Sequence, residues 1–326
     1  MPAGELFQQQ VGNAGGPAEG LAEGTGDGER GAIMKRILIL LALAAAAFAG
    51  CIGEESIAGG EVKLRMGEAI GGVESYRFEI NMDQTVEFAN FEGEGSLEGE
   101  RVTLRWTGAI NLTDQSFVEV SRSNRTDLSG LATAEDVVEV YFLNNTRYQK
   151  MGEEWIGLLQ PGTVYGTEMN DKLANLMEMI DRTEMVAMGT ERIEGQELYR
   201  LKVIPDNDTA YGIMLGQISS IDPRIPLMID MNALFERGAQ LEWTILVSKE
   251  TGLPTESRIS TVYTAGPGIL RMPPESAQGL EIRFETEEVR RFGGFGEPVV
   301  VELPEEARAA PILTPDLPAG ERSSPV

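Results

Sequence analysis

From residue 75 onward, apolar and polar residues alternate. Tyr76, Phe78 and Ile80 take every second position in SYRFEINM, and Val102, Leu104 and Trp106 do the same in RVTLRWTG. A period of two puts successive side chains on opposite faces, so these runs predict strands with one buried and one solvated face. Phe117–Val120, VVEVYFL at 137–143 and TRYQKM at 146–151 continue the series. The period changes at Met169, Leu173, Leu176 and Ile180, whose i, i+4, i+7, i+11 spacing predicts an amphipathic helix. VAMGTERIE and QELYRLKVI, joined at Gly195, predict a strand pair. Strands resume at 241–248, 254–264 and 280–289, the first two separated by a turn at Thr251-Gly252. Ahead of all these, a short helix is expected over Val62–Ile70.

The order strands, helix, strand pair, helix, strands lacks the regular βαβ alternation of a parallel sheet. The expected fold class is α+β, an antiparallel sheet with helices laid on one face, as a single domain over 62–308. Two apolar intervals do not fit the strand pattern. AYGIMLGQISSIDPRIPLMIDMNALFERG is Met-rich, and its second half is expected to form a helix starting near Pro226. AGPGILRMPPESAQG reads as a loop carrying exposed-looking Ile269, Leu270 and Met272. The tail 309–326 has four prolines and no apolar period, and is expected to be disordered.

The N-terminal region has a different pattern. In MKRILILLALAAAAFAGC, Lys35 and Arg36 precede an apolar run, and small residues Ala49 and Gly50 meet Cys51. This is the order of a secretory signal over 34–50. The run Ile37–Ala49 is too short for the ~20 residues that a membrane-spanning helix needs. Cys51 is the chain's one cysteine, so it has no partner for an intramolecular disulfide. Its setting resembles a lipobox, in which the thiol receives a lipid and the peptide before it is removed. Phe48 stands where Leu is commoner. An ordinary signal with an incidental cysteine and an uncleaved short anchor are the alternatives. Residues 1–33, rich in Gly, Ala and Glu, are expected to be a non-native or disordered extension, with Met34 as initiator. Residues 51–61 suit a flexible tether, which would leave the protein lipid-anchored on the exterior face of the cell membrane.

Composition narrows the function classes. With 52 acidic and 27 basic residues the net charge is −25, which repels nucleic-acid phosphates and excludes a nucleic-acid partner. The chain has no histidine, which removes the commonest general base, the Ser-His and Cys-His nucleophile systems and the commonest zinc ligand. Carboxylate pairs remain as candidates for catalysis, but Glu92, Glu94, Glu98 and Glu100 read as a solvated edge. No EF-hand loop, P-loop or dinucleotide fingerprint is present, so no enzyme activity, cofactor or metal is expected. Asn-x-Thr sequons at Asn111, Asn124, Asn144 and Asn207 fall in or beside predicted turns, where glycans can be attached.

Weak signals recur in order along nearly the whole body of the chain. Ser75-Tyr76-Arg77-Phe78 lies on an early strand, and Tyr148 and Trp155 bracket a turn. Gly189, Glu191 and Gly195 precede ELYRLKV at 197–203, and Trp243 leads to Ser248-Lys249-Glu250-Thr251-Gly252-Leu253-Pro254. Phe292-Gly293 and Glu297-Pro298-Val299 close the series. In this the chain resembles the LolA/LolB-like lipoprotein-carrier superfamily, including the mycobacterial LppX/LprG type. The resemblance implies a curved antiparallel half-barrel wrapped around a few helices, with an apolar cavity that holds acyl chains or lipidated proteins. Met214, Leu215, Met228, Ile229 and Met231 are then the candidate cavity lining, since thioether side chains refill irregular space. Ile269, Leu270 and Met272 are candidates for a cavity mouth or a membrane-touching loop. The alternative is a surface interaction lipoprotein whose interior is simply packed. A lipid on Cys51 would hold the protein to one surface, which resembles an anchored acceptor, sensor or chaperone more than a shuttle.

Overall fold

The computed structural model describes residues 58–89, 99–128, 132–160, 171–221, 229–236, 239–271 and 280–314. Met169, Met228, Met272, Cys51 and the expected helix start at Pro226 lie outside them, as do the side chain of Met231 and residues 1–57.

Alternation produces long strands. β1 (Ser75–Ala89), β2 (Gly99–Asn111), β3 (Ser116–Asp127), β4 (Ala132–Leu143), β5 (Thr146–Met151) and β6 (Glu154–Leu159) form one antiparallel meander. β7 (Glu184–Ile193), β8 (Gln196–Ile204), β9 (Gln240–Ser248), β10 (Pro254–Ala265) and β11 (Glu281–Gly293) form a second. The two meanders join where β1 pairs with β11, from Arg77 opposite Gly293 to Ala89 opposite Glu281. A two-residue strand, β12 (Ile312–Leu313), adds in parallel to β6 and completes an open, curved twelve-stranded sheet. Tight hairpins use residues that accept positive φ: Asn144 and Asn145 (φ 53 and 59) join β4 to β5, and Glu194 and Gly195 (φ 51 and 85) join β7 to β8.

The helices lie on the inner face. α1 (Gly59–Gly71) buries Val62 and Met66, one turn apart, and so takes in the end of the expected tether. Gly59 lets it approach β7 closely, because a Cβ there would sit 2.0 Å from the Met185 carbonyl oxygen. α2 (Lys172–Asp181) buries Leu173, Leu176 and Ile180, three of the four stripe positions. α3 (Asn207–Ile221) occupies the first half of the Met-rich interval, where no helix was expected, and α4 (Met231–Glu236) is a short helix in the second half.

Two apolar clusters fill the space between helices and sheet. The larger gathers α1, α2 and one end of the sheet around Trp243, Tyr76, Phe117 and Phe292. The other gathers Met214 and Ile218 of α3 with Ile229, Tyr263, Phe284 and Leu270. On the outer face the segment after β11 runs back across the first meander. Gly296 donates to the Ser75 carbonyl, Asn111 donates to the Val299 carbonyl, and Val299 and Val301 cover Ala109, Val118 and Tyr141. A further short helix, α5 (Glu305–Arg308), leads to β12. Within the tail, Ile312 and Leu313 thus meet a sheet edge at Gly157 and Leu158, and residues 315–326 lie outside the described residues.

Candidate functional site

Helices α2 and α3 stand apart above the inner face of β1, β2 and β11. Between them lies a cavity of about 590 Å³. Its floor is Ile80 and Met82 of β1, Trp106 of β2, and Glu288 and Arg290 of β11. Register explains this floor: Ile80 lies opposite both Trp106 and Arg290, and Met82 opposite Glu288, so all five share the inward parity.

Each helix shows the cavity a face distinct from its core face. On α2 the core stripe is Leu173, Leu176 and Ile180, while Lys172, Asn175, Glu178 and Met179 look onto the cavity. On α3 the wall is Asp208, Gly212 and Gly216, one turn apart, beside Thr209, Ile213, Gln217 and Ser220. A Cβ placed on Gly212 or Gly216 would meet nothing within 4 Å. Neither glycine is there to admit a neighbour; each leaves volume, at about 1 kcal/mol of helix propensity relative to Ala.

α2 is fixed at both ends. At its N-terminus Asp171 accepts from the backbone N–H groups of Leu173 and Ala174 at 3.0 and 3.1 Å. Tyr76, fully buried on β1, donates its hydroxyl to the same carboxylate at 2.8 Å. Burial, then the charge and hydrogen bond of Asp171, holds this hydroxyl's pKa far above the ordinary tyrosine value. At the C-terminus Lys63 of α1 donates to the carbonyls of Asp181 and Thr183, where a cation also suits the helix dipole. α3 is capped by Asp206, which accepts from the Thr209 N–H at 2.8 Å. The Thr209 hydroxyl, and after it this N–H, lowers the carboxyl's pKa.

The wall is amphipathic. Lys172 pairs with Glu119 of β3 at 3.2 Å and lies 5.5 Å from the Phe78 ring centroid. Arg290 donates to Glu288 at 2.5 Å in a pair that is largely buried. Apolar surface from Ile80, Met82, Trp106, Met179 and Ile213 completes the lining. Such a space is of a size usual for small-molecule sites and presents both apolar and polar surface.

Neither family models nor curated proteins match this chain. Solved structures do. Lipoprotein LppX of Mycobacterium tuberculosis is similar at 12% identity over 74% of this chain and 97% of its own, with a TM-score of 0.33. LprF of Mycobacterium bovis is similar at 13% identity over 75% and 95%, with a TM-score of 0.33. A LolA superfamily protein of Nitrosomonas europaea aligns at 8% identity over 77% and 96%, with a TM-score of 0.22. The open, curved antiparallel sheet with helices on its inner face is the half-barrel architecture expected from the sequence.

Within this half-barrel, the described residues among those singled out from the sequence fall beside the cavity. Met214 and Ile229 are buried in the cluster around Tyr263 and Phe284, and Leu215 packs against it. None of the three lines the cavity. Ile269 and Leu270, expected to look exposed, are buried instead: Leu270 bridges to Ile229, and the Ile269 carbonyl accepts from Asp230 at 2.7 Å. Residues 269 and 270 are thus held against Ile229 and Asp230, just ahead of α4. Among the sequons, Asn144 is exposed in a turn and Asn207 opens α3, but Asn124 lies within β3. Asn111 donates its amide to both Asp114 and Val299. Of the expected acidic edge, Glu100 is described and pairs with Arg125 at 3.6 Å.

The cavity wall itself was missed. A usable signal was strand parity: counting inward positions along β11 gives Phe284, Thr286, Glu288 and Arg290, a switch to polar residues on a face that elsewhere buries apolar ones.

Proposed function

We propose that this protein is a membrane-anchored extracytoplasmic lipoprotein that binds a lipid or other hydrophobic ligand between α2, α3 and the inner face of the sheet. The observation that carries the reading is the 590 Å³ cavity with its mixed wall. Its mechanism is burial rather than bond chemistry: each methylene leaving water contributes about 0.8 kcal/mol. The ionic groups on the wall suit a polar end, while Ile80, Met82, Trp106, Met179 and Ile213 take a chain. The proposed anchor is a lipid on Cys51, argued from its signal-like setting, with the folded domain over 62–308 facing away from the membrane.

The test compares wild type with Cys51→Ser, both expressed in a lipidating host. Intact mass should show a lipid on wild type that the substitution removes; an unmodified wild-type thiol overturns the anchor. The Cys51→Ser protein, purified without detergent, is then examined by native mass spectrometry and organic extraction. A co-purifying lipid near one-to-one is the expected result. A protein free of ligand that also fails to take up a fluorescent acyl probe overturns the binding reading in favour of a packed interaction domain.

A further inference from the structure

The cavity is bounded by packed core on both flanks. Behind α2, Leu173, Leu176 and Ile180 are at most 1% exposed and belong to the larger apolar cluster. Behind α3, Met214 and Ile218 are fully buried in the cluster around Tyr263 and Phe284. Interiors filled in this way have no room for further atoms.

Both walls are also fixed in place. Tyr76 and Lys63 hold the two ends of α2, at 2.8 Å to Asp171 and 2.8 Å to the Asp181 carbonyl. α3 is tied to β10 by the Thr261 hydroxyl, which donates to Oε1 of Gln217 at 2.7 Å. The 590 Å³ between the helices is therefore close to a fixed capacity, because widening it means pulling a packed helix face off its core.

At about 30 Å³ per non-hydrogen atom, the share of a water molecule in the liquid, that capacity is about twenty atoms. One long acyl chain fills it. The second chain of a membrane phospholipid finds no place. Polarity divides the same space into a buried part and an exposed one. Ile80, Met82 and Ile213 are at most 7% exposed, while Glu178, Arg182 and Asp208 on the two helices are open to solvent. The exposed groups carry both signs, which suits a zwitterionic head beside one buried chain.

We propose that the ligand is a single-chain amphiphile of the lysophospholipid class, and that two-chain lipids are excluded by volume. This rests on the cavity-binding reading above and narrows it.

The test is competitive loading of the full-length Cys51→Ser protein with palmitoyl lysophosphatidylcholine and dipalmitoyl phosphatidylcholine, which share a head and differ in chain number. Both are supplied in equal excess from methyl-β-cyclodextrin, and the complexes are counted by native mass spectrometry. The one-to-one lysolipid complex should exceed the diacyl complex at least about tenfold, because a second chain left in water forgoes its burial. Gly212→Leu with Gly216→Leu should lower the lysolipid complex by a similar factor. A diacyl complex of equal or greater abundance overturns the proposal, as do two lysolipids on one protein; if the two leucines suppress that binding, the cavity reading stands. Uptake of a fluorescent acyl probe with neither lipid bound also overturns the proposal alone. Failure to take up the probe, or lysolipid binding that the leucines leave unaltered, overturns both.

Discussion

On one side of α3, Met214 and Ile218 close against Tyr263 and Phe284; on the other, Gly212, Gly216 and Gln217 stand away from Ile80, Met82 and Trp106. One helix over one sheet makes both a packed core and a cavity. The difference lies in side-chain volume. Where the helix offers large apolar groups the interior is filled, and methionine acts there as packing rather than as adaptable lining. Where it offers glycine and polar residues, space remains. Cavity volume in this fold is therefore created by what the helix omits.

The largest effect should come from breaking the filled side. Phe284 is buried and stacked on Tyr263 at 4.8 Å between ring centroids, so Phe284→Ala should cost about 3–5 kcal/mol in urea unfolding. Acyl-probe binding per folded molecule should be unchanged. A cost under about 1 kcal/mol would mean that this half is not closely packed.

The open side should respond in the opposite sense. Gly212→Leu with Gly216→Leu puts bulk where a Cβ meets nothing, and replaces poor helix formers with good ones. Stability should hold or rise, by up to about 1 kcal/mol per site. Acyl-probe affinity should fall at least tenfold, because the added side chains take up cavity volume. Unaltered binding would place the ligand elsewhere.

The smallest contrast is between two buried tyrosines. The Tyr76 hydroxyl pairs with Asp171 and accepts from the Leu173 N–H, whereas the Tyr263 hydroxyl has no partner among the described residues. Tyr76→Phe should cost about 1–2 kcal/mol, while Tyr263→Phe should be neutral to within about 0.5 kcal/mol or slightly stabilising. Burial raises both hydroxyls' pKa above the ordinary tyrosine value of 10.0. A raised folded-state pKa leaves stability complete below about pH 10 and erodes it as the pH climbs further, since only the unfolded chain then releases those protons readily. Urea midpoints between pH 8 and pH 11 should show this alkaline decline, and each Phe substitution should flatten it.

How far the sequence disclosed these features follows from their physics. Period-two alternation is read directly, so SYRFEINM, RVTLRWTG and TRYQKM identified β1, β2 and β5. The stripe Leu173, Leu176, Ile180 likewise marked α2, because burying one helix face imposes that spacing. Helix α3 escaped because its two sides are apolar and small rather than apolar and charged, so AYGIMLGQISSI has little contrast to reveal a period. The cavity residues escaped for a related reason. Apolar residues such as Met214 and Leu215 read as lining in the sequence, while the α3 wall includes Gly212, Gly216 and Gln217, which resemble loop or surface residues in a linear reading. The pairing of Ile312 and Leu313 was not legible because it depends on the edge of β6, which is distant in sequence.

The ladder between β1 and β11 bears on how the protein is made. Each meander is built from neighbours in sequence and can form as its residues become available, but their junction waits for 281–293 to meet 75–89. Such a distant pairing is the slow step in assembling a sheet. Until it forms, the long edge of β1 is open to other chains, and the charged outward residues Glu79, Asp83 and Glu87 are well placed to discourage them. A chain that lost its C-terminal strands would therefore be divided at the midline of its sheet rather than trimmed at the margin.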